Sequence, residues 1–171
     1  LPQLSPDEAL DLATVTPEGH ETKPPARFTE PTLIAKLEEL EIGRPSTYAS
    51  IIRTITARDY VYKKGTALVP TWLAFAVTRL LVEHFPRLVD YRFTAELEDK
   101  LDEIAGGVAK RVQVLNDFFY GPPGHEREGL HDMATDLGDI DARATSTFAI
   151  GDPELGINVR VGRYGTYVED S

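Results

Sequence analysis

The chain has 171 residues, no cysteine and a formal net charge of −10, with 42% hydrophobic and 27% charged residues. That length suffices for one medium domain or two small ones with a real core, and the composition excludes disulfides, zinc–thiolate sites and thiol chemistry. The acidity argues against a nonspecific nucleic-acid glue, yet it is uneven: between Ile42 and Gly65, Arg44, Arg53, Arg58, Lys63 and Lys64 are offset only by Asp59, while acid gathers at 96–103 and 126–141.

The first residues show neither the basic nor the apolar region of a signal peptide, and a start at Leu1 rather than Met reads as a piece of something longer. Residues 9–16, ALDLATVT, alternate loosely before a turn-rich TPEGH and predict a strand pair to about Thr22. Pro24 and Pro25 then mark a boundary. In FTEPTLIAKLEELEIG, Thr29 is placed as the N-cap of a helix with Glu30 and Pro31 in its first turn. Leu33, Ile34, Leu37 and Leu40 form one stripe, and Gly43 is the expected C′ stop.

A second helix is predicted from Pro45–Thr47 to about Ala57, with Tyr48, Ile51, Ile52 and Ile55 at i, i+3, i+4 and i+7. DYVYKKGTALVP predicts a hairpin around Lys64–Gly65, and TWLAFAVTRLLVEHF a third helix. The apolar run of that helix is shorter than a membrane span and contains Arg79. Helix, turn, helix, hairpin, helix is the order of a winged-helix-like module. Residues 94–119 predict one amphipathic helix capped by Thr94 and bent at Gly106–Gly107, followed by a linker. INVRVGRYGTYVED alternates as strand, turn, strand. The expected fold class is α+β, mainly helical, with a winged-helix-like DNA-binding core and a short β segment at each end.

The stretch GRPST, residues 43–47, concentrates the chemistry. Proline at the first helical position leaves backbone N–H groups open at the positive end of a helix dipole, which favours an anion. Ser46 and Thr47 add hydroxyls, and Arg44 adds a fork that suits phosphate oxygens. The bland alternative is that Ser46 caps its own helix and Arg44 is solvated. Arg58, Lys63 and Lys64 at the far end of the same module extend a basic face. Tyr48 shares its stripe with three isoleucines, so its ring is expected in the core rather than at work as a nucleophile. His20, His84, His125 and His131 lack metal-ligand spacing, and no phosphate loop, H-E-x-x-H or G-x-S-x-G occurs. On these residues the chain binds and does not catalyse.

PPARFTEPTLIAKLEELEIGRPSTYASIIRTITARDYVYKKGTALVPT resembles the bacterial type IA DNA topoisomerases. LVDYRFTAELEDKLDEIAGG resembles the segment that follows in that family, and INVRVGRYGTYVE is similar to a C-terminal repeat of its actinobacterial members, which lack cysteine zinc ribbons. The resemblance implies that residues 1–26 are the last strands of the arch, 27–120 the later part of the DNA-binding domain called domain IV, 121–145 a linker and 146–171 the start of a C-terminal repeat.

In the family the positions matching Arg44, Thr47 and Arg58 contact the backbone of a single strand. The expected DNA-binding residues are therefore Arg44, Ser46, Thr47, Arg58, Lys63 and Lys64, with no catalytic or metal-binding residue in this segment. The nucleophilic tyrosine and the magnesium-holding TOPRIM domain are expected upstream, as partners in the same chain. The family is further expected to act as a cytoplasmic, nucleoid-associated monomer that relaxes negatively supercoiled DNA by cutting, passing and resealing single strands. Asp59 departs from the pattern, standing where glycine is frequent. Two other readings remain open: a winged-helix regulator that binds duplex DNA, and a protein-interaction domain with an acidic working face.

Overall fold

A computed structural model of the chain describes residues 5–9, 11, 13–124, 129–135, 138 and 140–170. Residues 13–28 are exposed and carry no regular secondary structure, so the strand pair expected over 9–22 does not form among the described residues. Val15, 72% exposed, has no apolar face to cover it. A lone two-stranded hairpin is marginal in water.

Among the described residues, regular secondary structure begins at Thr29. Its hydroxyl accepts from Thr32 N (3.4 Å) and its own N–H donates to the Thr32 hydroxyl (2.8 Å), a capping box with threonine in the usual glutamate position. Helix α1 (Glu30–Glu39) follows. Its end corrects the expectation for Gly43. The left-handed C′ residue is Glu41 (φ +57), with Glu41 N donating to Glu38 O (3.1 Å) and Ile42 N to Leu37 O (2.9 Å). This is a Schellman turn that needs no glycine. Gly43 (φ +76) lies two residues on, where a Cβ would meet Ile51 Cδ1, Thr47 Oγ1 and Tyr48 Cε1 at 3.1, 3.1 and 3.2 Å.

Helix α2 (Pro45–Ala57) buries the expected stripe through Tyr48 and Ile52. It closes in a second Schellman turn, Tyr60 N to Ile55 O (3.0 Å) and Asp59 N to Thr56 O (3.1 Å), with Asp59 itself at φ +56. Asp59 therefore occupies a left-handed position that glycine adopts freely. Strands β1 (Val61–Lys64) and β2 (Ala67–Pro70) pair antiparallel across the two-residue loop Gly65–Thr66. Leu68 is 5% exposed and its N–H donates to Phe28 O, while Thr29 bridges Ala67, so the hairpin is tied back to the start of α1.

Thr71 caps α3 (Trp72–His84) and a 3-10 turn at Pro86–Val89 leads into α4 (Tyr91–Ala105). The single helix expected over 94–119 is two. Asp90, not Thr94, is the cap: its carboxylate accepts from Phe93 N at 2.8 Å, and the Thr94 hydroxyl donates to Asp90 O. Gly107 (φ +75) ends α4 in a third Schellman turn, and α5 (Arg111–Tyr120) restarts after it. The expected linker contains α6 (Leu130–Thr135), packed on α5 through Phe119 and His131, and α7 (Ala142–Ser146).

Strands β3 (Thr147–Ala149), β4 (Ile157–Gly162) and β5 (Gly165–Asp170) form an antiparallel sheet in that order, the last two being the expected strand–turn–strand. Helix α3 carries this sheet. Arg79 donates to Ala144 O and Thr147 O (3.0 and 2.8 Å) and stacks 4.0 Å over Phe148, whose ring also meets Trp72 and Phe75.

Candidate nucleic-acid interface

Helix α2 is the element on which the expected residues converge. Its buried stripe fixes its rotation, leaving Ser46, Ala49, Ser50, Arg53 and Ala57 exposed on the opposite side. These side chains are small apart from Arg53, so the helix backbone is open to close approach on that side. At the N-terminus, Pro45 has no N–H to donate. Thr47, not Ser46, is the capping hydroxyl: it accepts from Arg44 N at 2.9 Å and donates to Arg44 O at 3.0 Å. The Ser46 hydroxyl has no partner among the described residues.

Arg44 is not the solvated residue one reading of the sequence offered. Nε donates to Asp102 Oδ2 (3.0 Å), and Nη2 to Asp102 Oδ2 (2.8 Å) and Asp99 Oδ1 (3.1 Å). Nη1 donates to the carbonyls of Gly43 (3.0 Å) and Glu41 (3.3 Å). A guanidinium has five N–H donors, and these contacts use them all. The Asp102 hydrogen bond, helped by the charges of Asp102 and Glu98 and the bond to Asp99, holds Arg44 above its ordinary pKa against the opposing effect of burial. The acid run 96–103 lies on α4. Within it the exposed carboxylates of Asp99 and Asp102 grip Arg44 across 55 and 58 residues of sequence.

The remaining cations divide. Lys63 pairs with Glu30 at 2.8 Å. Arg58, at the C-cap of α2, Lys64 beside the hairpin loop and Arg53 on the open face are exposed and make no ion pair among the described residues. Arg53, absent from the expected set, shares the exposed face of Ser46 seven residues on, a spacing legible in the sequence because seven residues bring a helix back to the same face. Arg44 and Arg58 bracket α2, roughly 21 Å apart at 1.5 Å per residue. A cleft of about 490 Å³ between α1, α2 and β1 carries Arg53 and Lys63 among its lining residues. Tyr48 is 9% exposed and packs against Gly43. No group of three or more His, Asp or Glu among the described residues is placed to hold a metal ion.

The sequence model of the DNA topoisomerase family matches residues 1–116. The chain belongs to that family, in the bacterial topoisomerase I branch. It is 53% identical to DNA topoisomerase 1 of Streptomyces coelicolor and 52% to that of Mycobacterium tuberculosis, in each case over 99% of this chain and 19% of the relative. The cyanobacterial DNA topoisomerase 1 of Synechocystis is 43% identical over 99% of this chain and 18% of its own length. Full-length topoisomerase I from Thermotoga maritima superposes with a TM-score of 0.66 at 32% identity, covering 86% of this chain and 24% of that one. The chain thus spans about a fifth of the length of these relatives.

Proposed function

We propose that this chain is the strand-holding segment of a type IA topoisomerase and grips the phosphate backbone of single-stranded DNA along α2. The carrying observation is that Arg53, Arg58 and Lys64, three exposed cations without an acid partner among the described residues, share one helix–hairpin unit with the free backbone N–H and unpartnered hydroxyl of Ser46. Backbone donors, a hydroxyl and cations contact phosphate without reading bases. The α1–α2–hairpin order supports a winged-helix-like reading of 27–120. In this reading residues 1–26 belong to the arch, 121–145 to a linker and 146–171 to the start of a C-terminal repeat.

In this reading the intact enzyme relaxes negatively supercoiled DNA as a cytoplasmic, nucleoid-associated monomer. Magnesium and the nucleophilic tyrosine belong to its TOPRIM and nucleophile domains, and no step of the chemistry runs through the residues described above. Their part is to hold the strand while it is cut and resealed elsewhere.

Fluorescence anisotropy of the chain with labelled oligothymidylate and with a hairpin duplex tests this. Tighter binding of the single strand, similar for several sequences, is the expected result. Preference for one duplex sequence would instead favour a winged-helix regulator, and absence of binding a protein-interaction role.

A further inference from the structure

The grip contains a contradiction at Arg44. The residue best shaped to take a phosphate has no free donor, because the chain's own carboxylates already fill its outer edge. The two edges of the guanidinium are held differently. Nη1 sits on the Gly43 and Glu41 carbonyls, which belong to the turn that leads into α2 and fix the group in place. Nε and Nη2 face Asp102 and Asp99, whose side chains are 62% and 65% exposed against 30% for Arg44. A carboxylate and a phosphate present similar oxygen pairs to this fork, and exposed carboxylates are loosely held partners.

Building on the strand-grip reading, we infer that Asp99 and Asp102 form a latch that occupies Arg44 in place of a phosphate. A strand arriving at the N-terminus of α2 displaces the two carboxylates, while Nη1 stays anchored on the carbonyls. The guanidinium is then already oriented when its outer edge changes partner, and Ser46 next to it offers a free hydroxyl to the same phosphate. The exchange swaps one anion for another, so Arg44 adds specificity for a correctly placed phosphate more than it adds raw attraction. It also links strand binding to α4, which must release its hold.

The test is a cycle on the full 171-residue chain with labelled oligothymidylate as probe. Asp99→Asn/Asp102→Asn keeps an acceptor oxygen at each position but removes both charges. It should tighten binding roughly fivefold, the scale of one exposed ion pair no longer competing, and steepen the salt slope by about 0.7, one further phosphate neutralised. In an Arg44→Ala background the same pair of changes should give little gain.

Equal gain with and without Arg44 would mean a general field effect and overturn the latch, as would unchanged or weaker binding by a variant whose circular dichroism and melting match the parent. If the double variant fails to fold, Asp99→Asn alone, which leaves the Asp102 contacts, must show a smaller gain of the same sign, and no gain overturns the latch. Normal parental binding with no gain rejects the latch and leaves the grip standing. Absence of binding by the parent and every variant rejects both.

Discussion

Gly43→Ala measures how tightly the GRPST turn is built. Gly43 sits at φ +76, and a Cβ there would approach Ile51 Cδ1, Thr47 Oγ1 and Tyr48 Cε1 to 3.1–3.2 Å. A left-handed alanine costs about 1–2 kcal/mol, and crowding a packed site costs about 1–3 kcal/mol more. A stiffer unfolded chain returns roughly 0.4–1 kcal/mol. The net loss is about 2–4 kcal/mol, a fall in melting temperature on the order of 10 °C for a chain of this size. Gly65→Ala is the matched control: φ is +62 but nothing lies within 4 Å of its Cβ. It should lose only about 1 kcal/mol, the conformational part alone. Urea titrations of both variants, read by circular dichroism, give the difference directly. Losses equal within about 0.5 kcal/mol, the usual scatter of surface substitutions, would refute the packing argument.

Asp59→Gly should raise stability by roughly 0.5–1 kcal/mol in the same urea assay, because the left-handed C′ position costs glycine nothing, and should modestly tighten oligothymidylate binding by removing the acid beside Arg58. Phe148→Ala removes the ring shared by Trp72, Phe75 and Arg79; an aromatic truncation of about 3 kcal/mol should speed amide exchange across 142–170 while leaving α2 protected. Tyr48→Phe should stay within about 0.5 kcal/mol of the parent and Tyr48→Ala should lose about 3–5 kcal/mol, a pattern that a reactive, exposed tyrosine would not give.

What was legible in the sequence was local. The stripe from Tyr48 to Ile55, the Thr29 cap and the Lys64–Gly65 hairpin depend on residues within one or two turns of each other, so period and turn chemistry suffice. Where several residues compete for one local role, pattern alone chose wrongly: Glu41 rather than Gly43 takes the left-handed C′ position, and Asp90 rather than Thr94 caps α4. Non-local matters were out of reach. Nothing in GRPST names Asp99 or Asp102 as the partners of Arg44, and nothing in 9–22 reveals that no described sheet edge receives it. Arg79 read as a charge interrupting an apolar run, yet it fastens the C-terminal sheet to α3.

The same distinction sets the strength of the grip. A count along 42–65 gives five cations, and five phosphates neutralised on a single strand would give a salt slope of about −3.5. In the fold, Arg44 is neutralised by Asp99 and Asp102, and Lys63 by Glu30. A phosphate that takes over either cation frees a carboxylate that gathers counterions in its turn, so the exchange contributes little to the slope. Among the described residues, Arg53, Arg58 and Lys64 are the cations of this stretch left without an ion pair, and three of them predict a slope of about −2. Anisotropy titrations with oligothymidylate at several salt concentrations separate the two values. A slope near −3.5 would mean that the internal ion pairs do not persist in solution. A slope near −2 means that the chain's own acids, rather than its total count of basic residues, set how firmly α2 holds a strand.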